Sequence, residues 1–297
     1  MKRILCLSGG GARCASQIPV LKMLEEKSKA PLHEVYDMII GTSAGAIHAG
    51  IIGTGAISMA NLETYYKMFA TNVFKKKRGF GLPIYDRKNF VDSFNEMCGV
   101  TSFGDMKTNV IITSTDLYSD TNVFYKSWKS NDSKVDVTDI ISRSFAAPIY
   151  FGQIVDEDAM MVYSDGGVGN ASLPITEAKL HAEVNGWYGG DNECEIHIIG
   201  SLYHTPLVDF KKVAHGNVFS QIFDMIKPFD GGFARKQSRL DQLRMIKYAT
   251  ENIPSLSYRY WDRPCPKKMY KLDGLEYIDK YIEIGNAMAK NPEHYSK

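Results

Sequence analysis

The stretch "IIGTSAGAIHAG", residues 39–50, sets a serine between two glycines after an apolar run and before small residues that suit a helix. Gly41-Thr42-Ser43-Ala44-Gly45 has the spacing of a nucleophile elbow, in which a serine occupies a strained strand-to-helix turn and its hydroxyl points out of the sheet. The helix N-terminus beneath it would place partial positive charge under a developing anion. In a chain with 25 glycines the same pattern also fits a tight turn whose serine merely caps the helix. Nucleophilic chemistry requires a group that takes the serine proton. None of the seven histidines, His33, His48, His181, His197, His204, His215 and His294, sits in a local triad signature. His48 follows Ser43 by five positions and is expected to face another side of the same helix in a structural role.

Two further glycine motifs could serve such a serine. Ser8-Gly9-Gly10-Gly11-Ala12-Arg13 follows an apolar strand pattern and opens a helix, so it offers a row of unblocked backbone N–H groups that binds an anion. A dinucleotide fingerprint is disfavoured, because Cys14 stands where the last glycine belongs and no acidic residue ends the second strand. Two adjacent parallel strands would bring this nest and the serine corner to one sheet edge, where the nest could form an oxyanion hole. The other motif, "VYSDGGV" over 162–168, stops an apolar run at Asp165 before Gly166 and Gly167. Such triplets commonly serve only as turns.

These motifs need a scaffold. "RILCL" and "YDMIIG" read as buried strands, each followed by a glycine turn and an apolar-periodic helix, which predicts a mostly parallel central sheet covered by helices. Further strands are expected at "NVIITSTDL", "NVFYKSW", "MMVYS" and "CEIHIIGSL". Helices are expected over 58–77, 87–98, 137–145, 174–184, 217–227, 235–251 and 275–289. The fold class is therefore α/β with a helix-rich C-terminal third. Ser43 follows only the second strand, which fits the α/β-hydrolase topology poorly.

The chain has 297 residues, 44% of them hydrophobic, enough for a sizeable core. No linker divides it, so we expect one domain over 1–297, with a catalytic core over about 1–205 and a helical portion beyond. Thirty-five basic and 34 acidic side chains leave a net charge of +1, so no global field draws the protein to nucleic acid or an anionic membrane. The five scattered cysteines contain no CxxC pair and argue against a disulfide framework and a zinc site. No metal or cofactor is expected. The N-terminus is too short in apolar residues for a signal peptide, and no run reaches membrane-spanning length. A cytoplasmic protein with peripheral membrane contact is the expectation.

"GGGAR" after the first strand, "GTSAG" about thirty residues on and "DGG" roughly 120 further resemble the patatin-like phospholipase family. "SRSFAAPIYF" (142–151) is similar to the segment before the family's aspartate, and "YRYWDRP" and "LDGLEYIDKYIEIGNAMAKN" to its C-terminal end. The resemblance implies a Ser-Asp dyad without histidine, with Ser43 as nucleophile, Asp165 as general base, and Gly9, Gly10, Gly11 and Arg13 at the oxyanion hole. Gly41, Gly45, Gly166 and Gly167 support these motifs. An aspartate is ordinarily a weak base, but partial desolvation in a cleft raises its pKa. Ester cleavage then suits it better than amide cleavage. The implied activity is release of free fatty acid from phospholipids or lysophospholipids through an acyl-enzyme. The chain departs from the family at Ser8, at Cys14 and after the DGG, where "GNASLP" stands for the usual "ANNP".

A lipid substrate calls for an approach surface. Phe74, Lys75, Lys76, Lys77, Arg78 and Phe80 set four consecutive cations among aromatic residues, a candidate docking lid for an anionic membrane. The same run also fits a solvated helix end. No base-stacking motif accompanies it, so nucleic acid is not an expected partner. A homodimer and an activator of unknown identity stay open. So does a catalytically silent lipid- or nucleotide-sensing module on the same fold.

Overall fold

The computed structural model describes residues 1–77, 81–169, 171–204, 233–292 and 294–295. Apolar "KRILCL" forms β1 (Lys2–Leu7), and "MIIGT" forms β2 (Met38–Thr42). They run parallel, with Leu7 opposite Gly41, so both glycine turns leave the same edge of the sheet. β7 (Cys194–Ile199) flanks β1 on the other side, and β8 (Leu256–Trp261) follows it, both parallel. β3 (Asn109–Asp116) pairs parallel with β2. The remaining strands are antiparallel: β4 (Thr121–Lys126), β5 (Ile154–Asp156), β6 (Met161–Asp165) and the short β9 (His294–Tyr295).

Alternate residues of the central strands feed two apolar layers, as the two-residue period of a strand requires. Leu5, Leu7, Ile39 and Ile112 pack with α1 (Gln17–Ser28), α3 (Ala44–Thr54), α4 (Met59–Val73), α5 (Arg87–Cys98) and α6 (Val137–Ser144). Ile4, Cys6, Ile40 and Ile196 pack on the opposite face with α7 (Ile175–Val184) and α8 (Phe233–Asn252). The one-turn α2 (Leu32–Val35) leads into β2. α9 (Ile278–Lys290) lies against α1 and the 3-10 turn Gly11–Ser16.

Sequence and structure differ at two places, and one expectation lies beyond what the structure describes. The helix expected over 58–77 stops at Val73, because Phe74 turns inward against Tyr85 and Phe151 and the chain enters an antiparallel bridge, Lys76 to Tyr85. The helix-rich C-terminal part also contributes β8, whose "LSYRYW" carries its strand signal in only six residues. The helix expected over 217–227 lies outside the described residues.

Candidate active site

The site is made where two strands abut end to end along a third. β3 pairs with β2 up to Thr113, opposite Thr42, and from the next residue, Ser114, with the last residue of β6, Asp165. Because β6 runs antiparallel to β3, the ends of β2 and β6 meet. Ser43 and Asp165 thereby become neighbours although 122 positions separate them.

Ser43 has φ +53° and ψ −125°, a conformation that a residue with a Cβ adopts only under strain. Tight packing behind it holds the turn: a Cβ at Gly45 would lie 2.5 Å from the Leu7 carbonyl oxygen. The Ser43 N–H donates to Ser144 Oγ at 2.8 Å, and the Ser43 hydroxyl donates to Asp165 Oδ2 at 2.7 Å. Asp165 Oδ1 accepts the Gly167 N–H at 2.7 Å. Both side chains are buried, each 9% exposed.

The glycine loop runs beside this pair, with Gly9 packed on the Ser43 side chain. Its amides are not equivalent. Gly9 N–H donates to the Ser172 carbonyl (3.1 Å) and Ala12 N–H to the Leu272 carbonyl (2.6 Å), whereas Gly10 and Gly11 have no protein acceptor among the described residues. Gly11 has φ +59°, and a Cβ there would collide with the Leu272 carbonyl, so the position requires glycine. The Arg13 guanidinium points elsewhere: Nε donates to the Ser201 carbonyl at 3.1 Å and the group stacks on Tyr270, 4.0 Å from the ring centroid. Cys14 is buried, and burial pushes its thiol up to about 12, which makes it an inert filler and not a nucleophile.

Ser43 and Asp165 open into an apolar pocket of about 610 Å³, its open mouth included. Ile47, Tyr66, Phe69, Val73, Phe145, Phe151 and Leu272 are among its walls, and Phe74 belongs to the wall as well. His48 also borders it. Its Nδ1 is 2.8 Å from Gln17 Oε1, and burial lowers its pKa to about 4, so it is neutral at pH 7 and bonded away from the serine.

Of the surface expectations, Lys75, Lys76 and Lys77 are exposed, while Phe74 is half-buried against Tyr85. Arg78 and Phe80 lie outside the described residues. Among those described, no helix is long and apolar enough to cross a membrane. Sequence reasoning missed Ser144, Ser172 and Ser201, all of which touch the site through hydrogen bonds to backbone. All three lay in stretches that had drawn notice, Ser144 in "SRSFAAPIYF", Ser172 in "GNASLP" and Ser201 in "CEIHIIGSL", but none was singled out as a site residue.

The order of motifs, the parallel sheet and the Ser43–Asp165 contact agree with one family. Its model, patatin-like phospholipase, matches residues 5–179. The chain belongs to that family. Among curated patatin-like relatives, a cGAMP-activated phospholipase of Escherichia coli (strain TW11681) is 28% identical over 185 residues, covering 56% of this chain and 52% of the relative. One of Vibrio cholerae is 29% identical over 191 residues, covering 56% and 54%. The chain thus spans about half the length of these relatives. VipD from Legionella pneumophila, a solved structure, is similar over 95% of this chain and 66% of its own, at 12% identity and a TM-score of 0.44.

Proposed function

We propose that this patatin-like protein hydrolyses carboxylic esters of phospholipids or lysophospholipids and releases free fatty acid. The observation that carries the reading is the 2.7 Å contact of Ser43 Oγ with Asp165 Oδ2 in the lining of an apolar pocket. A pocket of this lining suits an acyl chain, and its position leaves the ester carbonyl beside Ser43.

In the first half-reaction Ser43 Oγ attacks the ester carbonyl carbon while Asp165 takes its proton. The tetrahedral oxyanion is held by the Gly10 and Gly11 amides. Collapse breaks the bond to the lipid alcohol, which leaves with the proton from Asp165, and the acyl group stays on Ser43. In the second half-reaction water gives a proton to Asp165 and attacks the acyl carbon. Fatty acid departs and Ser43 recovers the proton. Ser144 and Gly167 hold the nucleophile and base in register throughout, which lowers the entropy cost of reaching the reactive geometry.

The test is reaction of Ser43 with a fluorophosphonate probe, together with fatty acid release from mixed phospholipid vesicles by wild type, Ser43→Ala and Asp165→Asn. Because the relatives are named as cGAMP-activated, both assays are run with and without cGAMP. Labelling at Ser43 and release by wild type alone support the reading. A folded wild type that neither labels nor releases fatty acid under either condition sinks it, and leaves a binding module on the same fold.

A further inference from the structure

The oxyanion loop has a support that comes from neither the glycine motif nor the dyad. We propose that Ser201, just beyond β7, is the positioning residue that aims the Gly10 N–H at the reacting carbonyl. This rests on the hydrolase reading given above.

The argument starts from one peptide unit. Ser201 Oγ donates to the Gly9 carbonyl oxygen at 2.6 Å. In a trans peptide the C=O and the following N–H point in opposite directions. Fixing the Gly9 carbonyl toward Ser201 therefore directs the Gly10 N–H away from Ser201. The strand order β2-β1-β7 says what lies on that other side. The loop leaves β1, with the end of β7 on one flank and Ser43, at the end of β2, on the other. Gly9 is in van der Waals contact with the Ser43 side chain, whereas the open face of Gly10 is filled by the Ser201 side chain. The amide turned away from Ser201 thus faces the nucleophile. A flipped peptide would present a carbonyl there, which repels an oxyanion.

Ser201 is itself immobilised. It is 6% exposed. Its carbonyl accepts Arg13 Nε, and the next residue, Leu202, donates its N–H to Asp262 Oδ1 at 2.9 Å. Arg13, stacked on Tyr270, accordingly acts on the loop through Ser201 and needs no contact with substrate.

The experiment compares wild type with Ser201→Ala in the full chain. Active-site counting by the final extent of fluorophosphonate labelling normalises every rate to folded sites. Loss of an oxyanion donor costs about 10²–10³ in rate. A donor left in place but free to flip is expected to cost about tenfold to a hundredfold in kcat and in labelling rate, with little change in KM. Affinity for a long-chain trifluoromethyl ketone, whose adduct with serine carries an oxyanion, should fall by the same factor, while affinity for free fatty acid stays unchanged. Equal loss of both affinities would mean a merely structural role and overturns the proposal. So does an unchanged labelling rate. A wild type that does not label overturns the hydrolase reading instead, and this inference falls with it.

Discussion

Ser144 holds Ser43: its hydroxyl oxygen accepts the Ser43 N–H at 2.8 Å, and its own carbonyl accepts the N–H of Gly166, the residue after Asp165. One residue at the end of α6 thus ties down both partners of the Ser43–Asp165 contact, and their spacing is set from behind.

Ser144→Ala leaves the buried Ser43 N–H without its acceptor. The expected effect is about 1–3 kcal/mol of stability, from the desolvation of an unpaired donor. Turnover should also fall about tenfold from misplacement of the nucleophile. Denaturant unfolding and steady-state kinetics on the same preparation check both.

Gly11→Ala adds a Cβ at a left-handed position against the Leu272 carbonyl. Backbone strain of about 1–3 kcal/mol is expected, and the loop can relieve it only by moving away from Leu272. Esterase activity should therefore drop more than thermal stability does. An Ala variant with wild-type rates would show that the Gly11 amide is not an oxyanion donor.

Ala70, on α4, is buried in the pocket wall. Ala70→Leu should exclude about two methylenes of a long acyl chain, at ~0.8 kcal/mol each, and raise KM for long-chain esters about tenfold. Short-chain esters should keep their KM. The fatty acid profile released from mixed lipids reads this directly.

His48 supplies a pH dependence. Burial takes its pKa from an ordinary 6.5 down to about 4, so the unfolded chain binds the proton more tightly than the folded one. Its contribution is fully present above pH 6.5 and is lost as pH falls through 4, in total about 3 kcal/mol. Melting temperature against pH should fall less steeply over that window in His48→Gln than in wild type.

Lys75, Lys76 and Lys77 are exposed, and Leu82, five positions further along the chain, is 68% exposed. With about 1 kcal/mol per cation at an anionic surface, replacing all three by Ser should weaken binding to phosphatidylglycerol vesicles about a hundredfold. The difference should disappear on neutral vesicles. Equal binding by both proteins to anionic vesicles would remove the lysines from the docking surface.

Much of this architecture was legible because its signals are local. The apolar runs before Ser8 and Ser43 announce strands, the glycines after them announce turns, and adjacency of the two strands follows from their connection. The meeting of Ser43 with Asp165 was not readable from pattern. It depends on β6 taking over from β2 along β3 at Ser114, a register that only the assembled sheet specifies. Ser201 was illegible for a similar reason. Its hydroxyl serves a carbonyl 192 positions away, and "IIGSL" carries no periodicity that marks it. Phe74 shows the opposite error. Beside four cations it read as part of a docking surface, yet its ring lines the pocket with Phe151 and packs edge-on against Tyr85.

The Leu272 carbonyl that receives the Ala12 N–H and walls Gly11 imposes an order on biosynthesis. A ribosome adds residue 272 more than a hundred positions after Asp165. The nascent chain therefore carries Ser43 and Asp165 well before the glycine loop beside them has its outer wall. The glycine loop is thus completed only after both Ser43 and Asp165 have been synthesised.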